Sequence, residues 1–416
     1  MFMSLLSFVY SNENNIAALV LILIIIAFVV IYRRKFSVEG KVLFIYRSKL
    51  GLKLMKRLSK YKRAINVYST VGVVAAFAAI AYMLYLLIPY ISLMFNHPTT
   101  TLAAFYPVLP VEGIPGVLGV PVLYWLIAII VLVAVHEASH GFVALSKKIR
   151  LKSSGFGFFL AFLPLAFVEP DEKQFERASR LNKLRVLSAG SFTNIIFGLV
   201  AFGLYILLSD FIVSAGLVTF APLILHIGAA VAGPAYSMHL PQNLSVVKIN
   251  GQFFYSAAQA ISLMRDVQPG QYVNLTNASG SVYSIMSVFS TGINSSTHSY
   301  IGNFTGVYLT ASKEQPLLLN PISSTAFPTS AFSSQILYWL DGLLLWFFLI
   351  GLGLGLANLL PIFYITDGCK IVNVALSYVV KDKKRLMAIT NYIIIAFSIF
   401  VLFLTPLGSY IFSLIK

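Results

Sequence analysis

The fold follows from an apolar run at residues 123–145, LYWLIAIIVLVAVHEASHGFVAL. An apolar run of this length can cross a bilayer, because a helix rises about 1.5 Å per residue and the hydrocarbon core is about 30 Å thick. His136, Glu137 and His140 interrupt the run near its end. Ionisable groups inside lipid are costly unless they are paired or bind an ion, so these three residues indicate a functional site within a membrane span.

The composition of the whole chain also indicates a membrane protein. Apolar residues make up 58% of the 416 positions and charged residues only 11%, too little charge to cover a soluble protein of this size. Cys369 is the only cysteine, which excludes an intrachain disulfide and a metal site built from several thiolates. Any metal ion must therefore be held by histidine and carboxylate groups.

Basic residues set the predicted orientation of the chain in the membrane. Residues 33–63 carry twelve Lys or Arg and one acid, Glu39, which places this segment in the cytoplasm by the positive-inside rule. A basic run can also bind nucleic acid, but we favour the membrane interpretation and expect no nucleic-acid partner. We predict a polytopic α-helical membrane protein with both termini extracellular and about six spans, at residues 16–32, 65–94, 123–145, 186–208, 336–364 and 387–414.

Two stretches outside the spans predict other structures. Residues 155–168 are apolar but broken by Gly155, Gly157 and Pro164, so we expect a hairpin that dips into the membrane and lines a protein cavity. Residues 213–332 contain alternating β-formers with Asn-Gly and Pro-Gly turns, which predicts an inserted extracellular β-rich domain. The sequence thus predicts a two-span region with the basic loop at residues 1–120 and this β-rich insertion at residues 213–332. A membrane catalytic core in two parts, residues 121–212 and 333–416, includes the last span.

The spacing of the two histidines predicts a metal site. On a helix, side chains at i and i+4 project from one face, so His136 and His140 can bind one ion, with Glu137 beside it as general base. Gly190 and Asn194 share the same spacing at the start of the fourth predicted span. A small residue there permits close helix approach and leaves the amide free to hydrogen-bond across the interface, although simple packing explains the pair equally well.

A catalytic zinc also needs a third protein ligand and an open position for water. Asp367 is a candidate, because Pro361 would break the fifth span and let the chain turn a carboxylate inward. Glu169 is a competing carboxylate, but it lies in a charged loop where a solvated role fits better. Cys369 is the remaining alternative, and a small packed residue is the plainer interpretation of it.

Together these motifs resemble the site-2 protease family of intramembrane metalloproteases. The resemblance covers residues 123–368 and rests on His136-Glu137-x-x-His140, Gly155-Phe156-Gly157, Ala166-Phe167-Val168, Ala189-Gly190 with Asn194, and Asn358-x-x-Pro361 with Asp367-Gly368. It implies that Asp367 is the third ligand of one Zn²⁺ ion and that Asn194 holds a backbone carbonyl of the substrate. The external region is similar to the PDZ-type domain that many members insert, through Gly233-Pro234-Ala235 and residues 246–251.

We therefore expect an intramembrane zinc metalloprotease of the cell membrane, whose partners are the lipid bilayer and the transmembrane helix of a membrane-protein substrate. The active site should lie in the cytoplasmic half of the bilayer, because His136 precedes Lys147 by eleven residues, about 16 Å of helix. One alternative is a transporter or channel that binds a permeating cation through His136, His140 and Asp367. The other is an inactive scaffold that binds membrane helices through its external domain.

Overall fold

The computed structural model describes residues 13–40, 42–49, 51–96, 106–111, 113–114, 117–220, 225–229, 244–254, 257–265, 267–277, 279–290, 302–304, 307–309 and 326–403. Both chain ends and the predicted Gly233-Pro234-Ala235 motif lie outside these residues. The chain divides into two compact units, one made of Met1–Tyr205 with Leu343–Lys416 and the other of Ile206–Gly342. The predicted β-rich insertion falls entirely within the second unit.

The described residues contain ten α-helices: α1 Glu13–Ile31, α2 Leu52–Leu58, α3 Lys62–Asn96, α4 Val122–Ser146, α5 Glu172–Arg177, α6 Arg180–Ser214, α7 Ala257–Arg265, α8 Phe332–Leu359, α9 Asp367–Leu376 and α10 Lys383–Phe403. Six of them, α1, α3, α4, α6, α8 and α10, are long and apolar enough to cross a membrane. The predicted number of spans is therefore confirmed for this part of the chain. The last predicted span, residues 387–414, runs past the end of the described residues.

The strands of the described residues are short: β1 Ser37–Glu39, β2 Leu43–Ser48, β3 Val108–Leu109, β4 Leu118–Gly119, β5 Leu151–Phe159, β6 Leu163–Pro170, β7 Val218–Phe220, β8 Leu225–Ala229, β9 Leu244–Ile249, β10 Gln252–Phe253, β11 Tyr272–Asn277, β12 Val282–Met286, β13 Val288–Ser290, β14 Gly302–Phe304, β15 Val307–Leu309 and β16 Ala326–Pro328. In the first unit, β1, β2, β5 and β6 form one sheet in that order. The predicted hairpin at residues 155–168 is the β5–β6 part of this sheet.

The basic segment after the first span supplies β1 and β2, which the sequence analysis did not predict. The glycines of β5 explain why β2 can pair so closely with it. A Cβ at Gly155 would collide with the backbone oxygen of Tyr46, and one at Gly157 with that of Phe44. The sequence analysis took these glycines only as breaks in an apolar run that favour a hairpin, and the structure adds that they admit a neighbouring strand.

Three glycines bring helices α6 and α8 into backbone contact within the first unit. A Cβ at Gly198 would lie 3.2 Å from the backbone nitrogen of Leu352, and one at Gly351 would lie 3.2 Å from the backbone oxygen of Asn194. A Cβ at Gly355 would lie 2.9 Å from the Ser191 oxygen, closer than real Cβ atoms come. Small residues allow this separation because helices in lipid associate through close packing rather than hydrophobic burial. The contact sets the position of both helices near Asn194.

The second unit contains strands where the alternating pattern predicted them. Its largest sheet has the order β12-β11-β9-β8-β15, and β10 pairs with β9. Asn250 and Gly251 form the turn between β9 and β10 with φ angles of 50° and 76°, as the Asn-Gly signal predicted. Helix α7 and the strands enclose an apolar core that includes Val273 and Leu275. The PDZ-type fold of this unit stays a prediction.

Candidate metal centre

Helix α4 presents two imidazole nitrogens to one point, as the i, i+4 spacing predicted. His136 Nε2 and His140 Nε2 lie 3.1 Å apart. The Oδ2 atom of Asp367 lies 3.3 Å from the first and 3.1 Å from the second. A tetrahedral zinc site with bonds of about 2.0 Å has edges of about 3.3 Å between ligand atoms. The nitrogen and oxygen donors and the near-equal triangle they form therefore fit a zinc ion.

Asp367 reaches the histidines because the chain reverses after α8. The helix ends at Leu359, two residues before Pro361, as the sequence predicted. Phe363 and Tyr364 then take left-handed φ angles of 52° and 59°, which turn the chain back on itself. Asp367 follows as the first residue of α9. The reversal places a residue of another helix beside the histidines, and its role as a metal ligand stays a prediction.

The two competing third ligands lie elsewhere. The carboxylate of Glu169 accepts a hydrogen bond of 2.6 Å from Ser153 Oγ and lies 3.8 Å from Arg47 Nε and 3.9 Å from Lys152 Nζ. Cys369 is buried, with its Sγ 3.5 Å from the backbone oxygen of Ile362. Neither belongs to the cluster around the histidines in the described residues. Glu169 lies in strand β6 rather than in the predicted loop, with its carboxylate engaged by these side chains. The packing role of Cys369 agrees with its burial.

Glu137 belongs to a second, wider grouping with the same histidines. Its ligand oxygen and the histidine ligand nitrogens lie within 4.8 Å of one another. Glu137 is therefore adjacent to the triangle, whose third corner is the Asp367 oxygen at 3.3 Å and 3.1 Å from the same nitrogens. The backbone N–H of Val168 in β6 donates a 2.9 Å hydrogen bond to Glu137 Oε2. The hairpin thus holds this carboxylate in place beside the centre.

The ring nitrogens that face away from the centre contact helix α6. His140 Nδ1 lies 2.6 Å from the backbone oxygen of Val186, an acceptor that requires the ring to carry its proton on Nδ1. In the neutral ring, Nε2 of His140 then carries no proton and can bind a metal. His136 Nδ1 lies 3.3 Å from Nδ2 of Asn194, which is fully buried. Asn194 therefore contacts a histidine directly, a position that the sequence did not predict.

Asn358 is a further polar group at the centre. Its Nδ2 lies 3.2 Å from His136 Nε2 and donates a 3.0 Å hydrogen bond to Asp367 Oδ2. In the sequence, Asn358 was notable only as part of the motif with Pro361, and no contact with the histidines was predicted for it. Its spacing of three residues before Pro361, at the end of an apolar span, was the signal that could have placed it here.

Gly190 on α6 leaves room for the two imidazoles. A Cβ at this position would collide with Nε2 of both His136 and His140. Any other residue would therefore fill the space between the two nitrogens that face Asp367. The sequence suggested that Gly190 serves helix packing, but its position against the donor atoms gives it a more direct role in the centre.

Comparison with known proteins agrees with this geometry. The model of peptidase family M50 matches residues 124–404, which include every residue of the centre. The chain belongs to peptidase family M50. This is the site-2 protease family that the motifs resemble, so the predicted family is confirmed. Members of family M50 are membrane-embedded metalloproteases that typically use zinc.

One relative of this M50 protein is an uncharacterized protein of Methanocaldococcus jannaschii. The two chains are 32% identical over 186 residues, a stretch that covers 42% of this chain and 48% of the relative. The match thus spans about half the length of the relative. The relative is uncharacterized and therefore carries no information on substrate.

The space that Gly190 leaves for the two histidine rings can be tested with a matched pair of glycine substitutions in this chain. Gly190→Ala is expected to abolish zinc binding and proteolysis, because the new methyl group enters the space between the histidine nitrogens. Gly203→Ala is the control, since a Cβ at Gly203 of the same helix meets no described atom within 4 Å. Both changes raise helix propensity by about 0.5–1 kcal/mol, so the backbone effect cancels in the comparison. Zinc content after purification is the measurement, and equal zinc in the two variants would contradict the assigned role.

Proposed function

We propose that this M50 protein is a zinc-dependent endopeptidase that cleaves the transmembrane segments of other membrane proteins. The observation that carries the proposal is the triangle of His136, His140 and Asp367 donor atoms on an apolar helix, with Glu137 beside it. Zinc in such a site lowers the pKa of bound water to about 7 and polarises a carbonyl group. The side chains around it supply the remaining chemistry.

Glu137 is the proposed general base. Its carboxylate takes a proton from the water that attacks the scissile carbonyl carbon and delivers it to the leaving amine nitrogen as the C–N bond breaks. The hydrogen bond from Val168 N–H supports this role, because it orients one carboxylate oxygen and leaves the other available.

The proposed substrate is a transmembrane helix that unwinds locally at the centre. A helix conceals its carbonyl groups in internal hydrogen bonds, so a peptide bond becomes accessible only where that pairing opens. The polar groups around the centre, among them Asn358, offer partners to a backbone that has lost its own. Substrates with Gly, Pro or polar residues in their spans should therefore be cleaved preferentially.

The basic segment supports the proposed topology. Its excess of Lys and Arg over residues 33–63 assigns that side of the membrane to the cytoplasm, which leaves the β-rich unit outside the cell. His136 then lies about 16 Å of helix from the cytoplasmic boundary marked by Lys147. Substrate helices should accordingly be cut in their cytoplasmic half.

The test combines metal analysis with cleavage of a model substrate. The protein purified in detergent is expected to contain one zinc per chain and to cut a labelled transmembrane helix. A chelator should stop cleavage and added zinc should restore it. Mass spectrometry of the products should place the cut in the cytoplasmic half of the substrate helix. Cation flux in proteoliposomes without cleavage would support a transporter instead, and absence of both zinc and cleavage would support a scaffold.

A further inference from the structure

The contact between Asn194 and His136 has an unfavourable arrangement for a metal-bound histidine. The amide nitrogen of Asn194 faces His136 Nδ1 at 3.3 Å, while Asn194 Oδ1 has no hydrogen-bond partner among the described residues. Asn194 is fully buried, so its oxygen has no access to bulk water. A buried acceptor without a partner is unfavourable, because it has lost its hydrogen bonds to water.

A metal-bound His136 requires a different ring tautomer from the one that accepts an N–H of Asn194. An N–H of Asn194 can donate to Nδ1 only if the ring proton sits on Nε2, which faces Asp367 Oδ2 at 3.3 Å. A metal at the centre requires Nε2 without a proton, so the proton must then sit on Nδ1. His136 Nδ1 then becomes a donor and needs an acceptor, as His140 Nδ1 already has in the Val186 carbonyl.

Asn194 can supply that acceptor by a half-turn of its amide, which exchanges the oxygen and nitrogen with little other movement. We propose that Asn194 presents Oδ1 to His136 Nδ1–H in the zinc-loaded protein and is a positioning residue for this ligand. The inference rests on the proposed function, because it assumes zinc at the centre. It differs from the substrate-carbonyl role that the family resemblance implied, since it assigns the amide to a histidine.

The surrounding helices support a fixed position for Asn194. A Cβ at Gly351 of α8 would lie only 3.2 Å from the backbone oxygen of Asn194. The two helices are therefore in close contact at Asn194, which fixes its backbone. Its side chain is enclosed and faces the ring nitrogen on the far side of His136 from Asp367. Such partners fix ring orientation in metal sites, and their loss typically weakens metal affinity by about 10–100-fold.

The experiment measures zinc affinity in a proteolytically inactive Glu137→Gln background, so that substrate handling plays no part. Asn194→Leu keeps a similar volume and removes the acceptor, and it is expected to weaken zinc binding by about 10–100-fold in competition with a chromogenic chelator. Asn194→Asp keeps an acceptor oxygen at the same place and is expected to restore the affinity. Ser191→Ala is the control, because it alters a buried polar side chain three residues away that has no described partner.

The outcomes separate the inference from the proposed function. Equal zinc affinity in all Asn194 variants would overturn the inference, and so would a loss that aspartate fails to restore. If Asn194 instead held a substrate carbonyl, its variants would leave zinc affinity unchanged and would lower kcat/KM in the active protein that retains Glu137. Aspartate would then be more harmful than leucine, because its charge repels a carbonyl oxygen. If the parent protein bound no zinc, the proposed function itself would fail. Should the leucine variant aggregate, Asn194→Ala provides the same comparison.

Discussion

Replacing Glu137 with glutamine is expected to abolish cleavage of a transmembrane substrate while zinc stays bound. The amide oxygen of glutamine can still accept the hydrogen bond from Val168 N–H, so the side chain keeps its place. It cannot take a proton from water, and loss of a general base typically lowers rates by about a hundred- to ten-thousand-fold. The measurements are the cleavage rate of a labelled helix in detergent and the zinc content of the purified variant.

A structural control accompanies the Glu137 variant. Asn66 accepts a hydrogen bond from Lys147 near the end of α4, away from the centre, so Asn66→Ala alters a polar contact of the same helix without touching the histidines. It should retain cleavage. Unchanged proteolysis by Glu137→Gln would remove the proposed general base, whereas simultaneous loss of zinc would make Glu137 a ligand.

Replacing Asp367 with alanine is expected to abolish both zinc binding and cleavage. The substitution removes the oxygen that lies 3.1 Å and 3.3 Å from the two histidine nitrogens and leaves only two protein donors. A catalytic zinc site ordinarily has three. Zinc stoichiometry by atomic absorption and the cleavage rate of the same labelled helix report the two losses separately.

The competing ligands serve as controls for the Asp367 variant. Glu169→Ala and Cys369→Ala should both keep zinc, because the first residue is engaged with Ser153 and basic side chains and the second packs against the chain reversal. Loss of zinc in either of them with retention in Asp367→Ala would reassign the third ligand. Circular dichroism of all three variants establishes that they remain folded.

Local patterns in the sequence predicted much of the membrane core. Apolar runs of sufficient length gave six spans, since the thickness of a bilayer demands them irrespective of what packs beside them. The break at Pro361 followed from the missing N–H of proline, and α8 ends at Leu359. The turn at Asn250 and Gly251 followed from their tolerance of positive φ. Each of these depends on neighbours along the chain.

Other features depend on partners distant in sequence and escaped prediction. Strand β2 pairs with β5, which lies more than a hundred residues later, and no pattern in the basic segment predicts that partner. The glycines of β5 predicted a hairpin but not their close contact with β2, because the backbone oxygens of Tyr46 and Phe44 come from another segment. The PDZ-type fold and the orientation in the membrane also stay predictions from sequence pattern.

The shared helix face of His136 and His140 could be predicted from their spacing alone, because i, i+4 geometry is a property of any α-helix. The residues that contact them there depend on the tertiary structure. Asp367 arrives through a chain reversal, and Gly190 and Asn194 through helix α6, whose close approach to α8 depends on glycines in both. Distances between residues so far apart in the chain arise from the sum of many packing contacts, which no local pattern encodes.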